Sequence, residues 1–167
     1  MDAIVAVYSD WGIGDGGTQP VVLKADRAHF RQVTEGNAVI VGRKTLSDFP
    51  GGRPLKNRYN IVVTRQDIRI EGAQVVHSTE EALAAAAEHP RCLVIGGASV
   101  YRQFYPHCDR VFLTKIDLAP HSDSFFPNLD ALEDWQCTQQ EAWQEHEGVR
   151  YCFCVYEKRS DQMGQHT

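Results

Sequence analysis

The chain has no excess of positive charge, no cysteines paired at ligand spacing, no visible internal repeat and no apolar stretch long enough to span a bilayer. Each absence removes a class of function. Seventeen Lys and Arg against twenty-two Asp and Glu leave a net charge of -5, so a nucleic-acid partner is not expected without a local basic stripe. The five cysteines, Cys92, Cys108, Cys137, Cys152 and Cys154, are odd in number and scattered, which fits neither a zinc site nor a disulfide framework and suits reduced thiols in a cytoplasm. The first apolar run, Met1 to Tyr8, carries no basic leader and reaches polar Ser9 and Asp10 at once. It is expected to be a buried strand, with no export signal and no membrane partner.

The composition that is present points to a folded domain. At 167 residues, folding buries roughly 70% of the surface of the unfolded chain. The 43% apolar and 23% charged residues lie near globular averages and exclude a disordered or fibrous chain. One domain is expected over residues 1–159. The polar tail, residues 160–167, is expected to be disordered.

Short apolar runs at Ala3 to Val7, Ala38 to Val41, Asn60 to Thr64, Ala73 to Val76 and Leu93 to Ile95 suit buried strands. Helical stretches separate them: Lys24 to Thr34, a short one from Arg43, one opened by Ser78 with Glu81 completing a capping box, and Ala98 to Phe104. The last third alternates and is rich in aromatic and β-branched residues over Arg110 to Asp117, Gln136 to Trp143 and Val149 to Glu157, with a turn at Glu145 to Gly148. This predicts an α/β fold of eight strands, mostly parallel with an antiparallel C-terminal edge, and four helices.

Glycines recur at the junctions between strands and helices. In Val39-Ile40-Val41-Gly42-Arg43-Lys44-Thr45 and Leu93-Val94-Ile95-Gly96-Gly97-Ala98-Ser99, backbone amides can approach an anionic ligand or simply form a tight turn. Trp11 is followed by four glycines in six positions, Gly12 to Gly17, which suits either a lid or a surface turn. Asp26 stands near the start of the first helical stretch with Phe30 one turn on, either in a pocket or as a solvent-facing first-turn carboxylate.

Taken in order, Ile4-Val5-Ala6, Gly12-Ile13-Gly14, Pro20, Ala25-Asp26 with Phe30 and Thr34, Val41 to Thr45, Arg53-Pro54-Leu55 with Arg58 and Asn60, Val63-Thr64-Arg65, Val94 to Gly97 with Val100-Tyr101, Leu113-Thr114 to Asp117, Asp123 and Phe126-Pro127 resemble the dihydrofolate reductase family from Ala3 to about Lys158. The resemblance implies a single-domain enzyme, by default a monomer of the cytoplasm, that reduces 7,8-dihydrofolate with NADPH and thereby supports one-carbon and thymidylate metabolism. It implies Asp26 as the acid of the pterin pocket, braced by Thr114, with the proton arriving through water. Ile4, Val5, Ala6, Ile95 and Tyr101 would line the substrate, Phe30 would pack on its rings, Arg27 would lie beside it, and Arg58 would take the glutamate-tail carboxylate. Ala6, Ile13, Gly14, Gly42, Arg43, Lys44, Thr45, Val63, Thr64, Arg65, Gly96, Gly97, Ala98, Ser99, Val100 and Tyr101 would hold the cofactor, with a cis peptide at Gly96-Gly97, and no metal is implied. The chain departs from the family's pattern at Val21, where a Trp is usual, at Lys24, where a Pro is usual, and at Arg27, where an apolar residue is usual. A reductase of another pterin or of a riboflavin-pathway aminopyrimidine, and a non-catalytic NADPH-binding regulator, share the scaffold; Asp26 and Arg58 argue against the aminopyrimidine.

Overall fold

Strands that are apolar at consecutive positions need cover on both faces, and the computed structural model, which describes residues 1–14 and 19–159, supplies it. The chain runs β1 (Asp2–Tyr8), β2 (Gly12–Gly14), α1 (Lys24–Thr34), β3 (Ala38–Gly42), α2 (Arg43–Ser47), β4 (Tyr59–Val63), β5 (Ala73–Val76), α3 (Thr79–Ala86), β6 (Cys92–Val94), α4 (Ala98–Phe104), β7 (Arg110–Ile116), β8 (Ser124–Phe125), β9 (Trp135–Gln140), β10 (Gln144–His146) and β11 (Val149–Lys158). The main sheet has the order β10-β11-β7-β1-β6-β3-β4-β5, with β9 also on β11. Strands β7 through β5 in that order are parallel, and β11 runs antiparallel to β7, β9 and β10.

Alternation along β1 divides the core into two layers. Ala3, Val5 and Val7 face α3 and α4, joining Ala82, Ala86, Val100, Tyr101 and Phe104. Ile4 faces the other way, with Leu46 of α2 and Phe30 and Val33 of α1, while Ala6 and Tyr8 join Leu23 and Tyr151 on that same side. Central β3 is sealed on both faces, with Val39, Ile40 and Val41 all fully buried.

The expected α/β sheet is observed, with two differences. The expected strand Gln136 to Trp143 stops at Gln140 as β9 on the far half of β11, and a further strand, β10, forms at Gln144–His146 on its near half, where Glu145 to Gly148 was expected as a turn. The eight positions across the sheet are therefore filled by nine strands. Gly12–Gly14, expected to be part of a lid or turn, is held in a separate two-stranded sheet with β8; the remainder of that glycine loop, residues 15–18, and the tail from residue 160 lie outside the described residues. The capping box at α3 is also shifted by one position. Ser78 Oγ accepts the Glu81 N–H at 3.1 Å, but the Glu81 carboxylate returns to the N–H of His77 at 3.0 Å.

The β2–β8 ribbon is close packed at Gly12, where an added Cβ would lie 2.3 Å from Ser122 Oγ and 2.8 Å from Asp10 Oδ1. Gly12→Ala is therefore expected to destabilise the fold by about 1–3 kcal/mol through overpacking. Urea denaturation should show a lower midpoint at unchanged slope.

Candidate active site

The register of β1 with its two neighbours opens the site. Pairing of β1 with β7 runs from Asp2–Arg110 to Tyr8–Ile116, but pairing with β6 stops at Ala3–Val94. Beyond that point the chain after β6 stays with β3 instead: Ile95 N–H donates to Ile40 C=O at 2.9 Å and Gly42 N–H to Gly96 C=O at 2.8 Å. A crevice results between the C-terminal ends of β1 and β6, with Ile4, Val5 and Ala6 on one bank and Ile95, Gly96 and Gly97 on the other. Connections leave this point in opposite directions, α1 toward β3 on one face and α4 toward β7 on the other, which is where open α/β sheets take ligands.

Helix α1 lies over the face that carries Ala6 and Thr114, which are register partners. Its first turn brings Asp26 to Thr114, 88 residues away, whose hydroxyl donates to Asp26 Oδ1 at 2.7 Å. Thr114 is buried and Asp26 half-buried. Burial pushes the Asp26 carboxyl above its ordinary value, while the Thr114 hydroxyl and, less strongly, His29 pull it back down. Oδ2 makes no hydrogen bond to the described residues, so the site offers a desolvated carboxylate with one oxygen fixed and one available. Tyr8 is buried on the same side, its phenol accepting the Val21 N–H at 3.1 Å, and burial together with the Asp26 charge pushes that phenol upward.

The remaining residues implied by the resemblance divide by side-chain direction. Ile4 and Ala6 face the Asp26 side, with half-buried Phe30 in the cluster of Ile4 and Ile95. Val5 points into the opposite layer, so its backbone alone borders the crevice. Tyr101 is also in that layer, its hydroxyl donating to Ile4 C=O at 2.7 Å. Arg27 is exposed. Arg58 is tied down by two bonds, Nε to Thr34 Oγ1 at 3.1 Å and Nη1 to Lys56 C=O at 2.7 Å; Thr34 in turn donates to Phe30 C=O at 2.7 Å. The guanidinium is thereby registered to α1, two turns beyond Asp26.

On the other bank the backbone leaves no room for side chains. A Cβ on Gly97 would sit 2.6 Å from Thr45 Oγ1, and one on Gly42 would sit 3.0 Å from Val100 Cγ2. The Gly96-Gly97 peptide is cis, as the resemblance implied, and Gly96 has φ +119°. Arg43, Lys44 and Arg65 are exposed beside these strand ends, with Val63 and Thr64 half-buried between them. Ala98, Ser99 and Val100 open α4 immediately after the glycines, while Ile13 and Gly14 sit in the β2–β8 ribbon. Close backbone approach followed by exposed cations fits a dinucleotide with a phosphorylated ribose.

Two other places in the fold do not carry the chemistry. A cavity of about 490 Å³ opens at the N-terminal ends of β1, β6 and β7, but its charges satisfy one another. Asp2 Oδ2 pairs with Arg91 Nε at 3.4 Å and Arg110 Nη2 at 3.1 Å, and both guanidiniums lie over Phe112. Cys152 and Cys154 face one way, with sulfurs 3.7 Å apart, but both are buried and burial pushes the Cys154 thiol up to about 12, away from the reactive thiolate. Three residues around the acid site escaped sequence reasoning: Tyr8, His29 and Phe153. His29 and Phe153 stack with ring centroids 4.3 Å apart, and the i, i+3 spacing of Asp26 and His29 was the local signal that could have found the imidazole.

The dihydrofolate reductase family model matches residues 1–158. The dihydrofolate reductase of Bacillus subtilis (strain 168) is 37% identical over 160 residues, 94% of each chain. That of Haemophilus influenzae is 38% identical over 148 residues, 89% of this chain and 91% of its own. Among solved structures, dihydrofolate reductase from Enterococcus faecalis complexed with NADP(H) and RAB-propyl superposes with a TM-score of 0.85 at 32% identity, covering 95% of this chain and 96% of its own.

The raised Asp26 carboxyl has a consequence for stability. Because the folded state holds this proton more tightly than the unfolded chain, its contribution is complete below the ordinary value of 3.8 and is lost as pH rises through the folded value. Asp26→Asn, which keeps an acceptor for Thr114, is expected to melt above the parent at pH 7. The gap should close as the pH is lowered toward 3.8, read by calorimetry at a series of pH values.

Proposed function

The chain belongs to the dihydrofolate reductase family and catalyses NADPH-dependent reduction of 7,8-dihydrofolate to tetrahydrofolate, and we propose that the Asp26–Thr114 pair is the acid site at which it does so. The observation that carries this assignment is the half-buried carboxylate with Oδ1 fixed at 2.7 Å by a buried hydroxyl and Oδ2 left available. The carboxylate would accept hydrogen bonds from the amide N–H and amino group of the pterin, one on each oxygen, and these would replace the hydration that burial removed. The negative charge favours the protonated pterin, while the ring nitrogen beside the reduced carbon lies beyond the carboxylate's reach and takes its proton from water.

When bound, the reduced nicotinamide supplies the hydride. Gly42, Gly96 and Gly97 would admit the cofactor backbone to close contact, Arg43, Thr45, Thr64 and Arg65 would hold its phosphates, and Lys44 and Arg65 would favour the 2'-phosphate over a bare ribose. The other cofactor contacts proposed are Ile13, Gly14, Val63, Ala98, Ser99, Val100, Tyr101 and the backbone of Ala6. Ile4, Ala6, Phe30 and Ile95 would wall the pterin and exclude water around it. Arg58, oriented by Thr34 and Lys56, would clamp the glutamate tail. Arg27 would remain at the rim, and Val21 offers no indole N–H where the family usually has one. A monomer is supported by the small number of large apolar residues exposed among the described residues, Val22, Tyr59, Leu118, Phe125 and Trp143. Five free thiols support a reducing cytoplasm.

The deciding experiment monitors NADPH absorbance with dihydrofolate. At pH 7, Asp26→Asn should lower kcat/KM by roughly 10²–10⁴-fold, as loss of a positioned acid-base group does. The deficit should shrink at pH 5, where the substrate arrives protonated more often. Parental rates in this variant at neutral pH would remove Asp26 from the mechanism. Arg58→Leu should raise KM for dihydrofolate by about 10- to 100-fold, the worth of a charge-assisted pair, and leave a tail-less pterin unaffected. Equal losses for both substrates would make Arg58 structural.

A further inference from the structure

We propose that His29 is a positioning residue for this reaction: laid flat on Phe153 one helical turn beyond Asp26, its imidazole puts a second ionisable group beside the acid site and tunes the pH dependence of hydride transfer. The inference rests on the role of Asp26 proposed above and extends that site by a residue outside it.

The geometry consists of two parallel rungs. Asp26 and His29 are three residues apart on α1, hence neighbours on one helix face, with Cβ atoms about 5–6 Å apart. Thr114 and Phe153 are register partners on adjacent strands β7 and β11. The first rung is the Thr114 hydroxyl bonded to Asp26 Oδ1 at 2.7 Å. The second is the stack of His29 on Phe153, with ring centroids 4.3 Å apart and planes inclined by 27°. Anything that rolls α1 at one rung moves the other.

The imidazole also feels two carboxylates. One is Asp26, on its own helix, and the other is Glu141, in the segment after β9, whose N–H donates to Phe153 C=O at 2.9 Å. From β11 it meets Phe153, itself braced edge-on by Tyr151 at 5.7 Å. Burial draws the imidazole toward its neutral form, and Asp26 and Glu141 draw it back toward the charged one. Coupling of this kind is reciprocal: an imidazolium that is favoured by the Asp26 charge must favour that charge equally. A cation at position 29 disfavours a proton anywhere in the acid site, on Asp26 or on the pterin beside it, and a neutral side chain removes that penalty, so that the protonated complex persists to higher pH.

The test is a pair of measurements on the full-length enzyme. Single-turnover hydride transfer with NADPH and dihydrofolate is measured from pH 5 to 9 in the parent, His29→Phe and His29→Lys. Phe preserves the stack without charge, and Lys keeps charge at all these pH values. The midpoint of the falling limb is expected to move down by roughly half a pH unit in His29→Lys, the size of a partly screened ion pair, and up by a smaller amount in His29→Phe, because burial already draws the imidazole toward its neutral form. In parallel, NMR titration of the His29 ring proton in the parent and in Asp26→Asn should show the imidazole midpoint falling when the carboxylate is removed. The proposal is overturned if His29→Phe superimposes on the parent, if both variants move in one direction, as a structural role alone would require, or if the imidazole midpoint is unchanged in Asp26→Asn. Failure of the Asp26 assignment itself would appear separately, as retained turnover in Asp26→Asn, because the NMR titration reads the coupling without catalysis.

Discussion

The Asp26 carboxylate is costly where it stands. A half-buried charge on the face of Ala6, Phe30 and Tyr8 loses hydration, and the main compensation it receives is one hydroxyl, that of Thr114 at 2.7 Å. Much of the surrounding structure is what keeping that pair together requires. Helix α1 must lie over the β1–β7 pair rather than beside it, β1 and β7 must be in the register that sets Thr114 beside Ala6, and the helix must end where Thr34 can fix both Phe30 C=O and the Arg58 guanidinium. The unsatisfied half of the carboxylate is a cost in the free protein and a binding determinant once a ligand with two N–H donors arrives. Function and stability pull in opposite directions at this residue.

Opposite the carboxylate, the constraint is steric. A crevice exists because β1 stays with β7 while the chain after β6 stays with β3, and the gap between them stays open to a ligand because the residues on the β6 bank carry no side chains at Gly96 and Gly97. Tyr101 reaches in from the opposite layer, its hydroxyl donating to the Ile4 carbonyl that β6 leaves unpaired. One bank therefore supplies charge and the other supplies access. The two meet at Ile4 and Ile95, which belong to the same buried cluster as Leu93 and Val41, so the position of the site is transmitted from the core.

Electrostatics on the α1 side extend past the pair itself. His29 is fixed by a stack against β11, the strand whose neighbour β7 supplies Thr114. A helix face that presents an acid and an imidazole one turn apart, each anchored to a different strand of one antiparallel pair, couples the protonation of the site to the seating of the helix. Tyr8, whose phenol receives the Val21 N–H, adds a neutral wall on the third side. Where the family usually places an indole, the chain thus has an aliphatic residue whose backbone, rather than its side chain, is tied into the site.

Local periodicity alone determined the elements. Helices Lys24–Thr34 and Ala98–Phe104 and strand Ala73–Val76 have the bounds their apolar spacing predicts, because each is fixed by contacts within a few residues or by one buried face. The order of motifs was enough to place the chain in its family and to nominate Asp26, Thr114 and the paired glycines. Tertiary structure decided what depends on residues distant in sequence: the end of β9 at Gln140 against β11, the ribbon of β2 with β8, the turning of Val5 away from the ligand side, and the meeting of His29 with Phe153. The physical reason is the same in each case. Which partner a strand selects and which face a side chain takes are settled by packing between segments far apart along the chain, and a pattern read over ten residues contains no term for that energy.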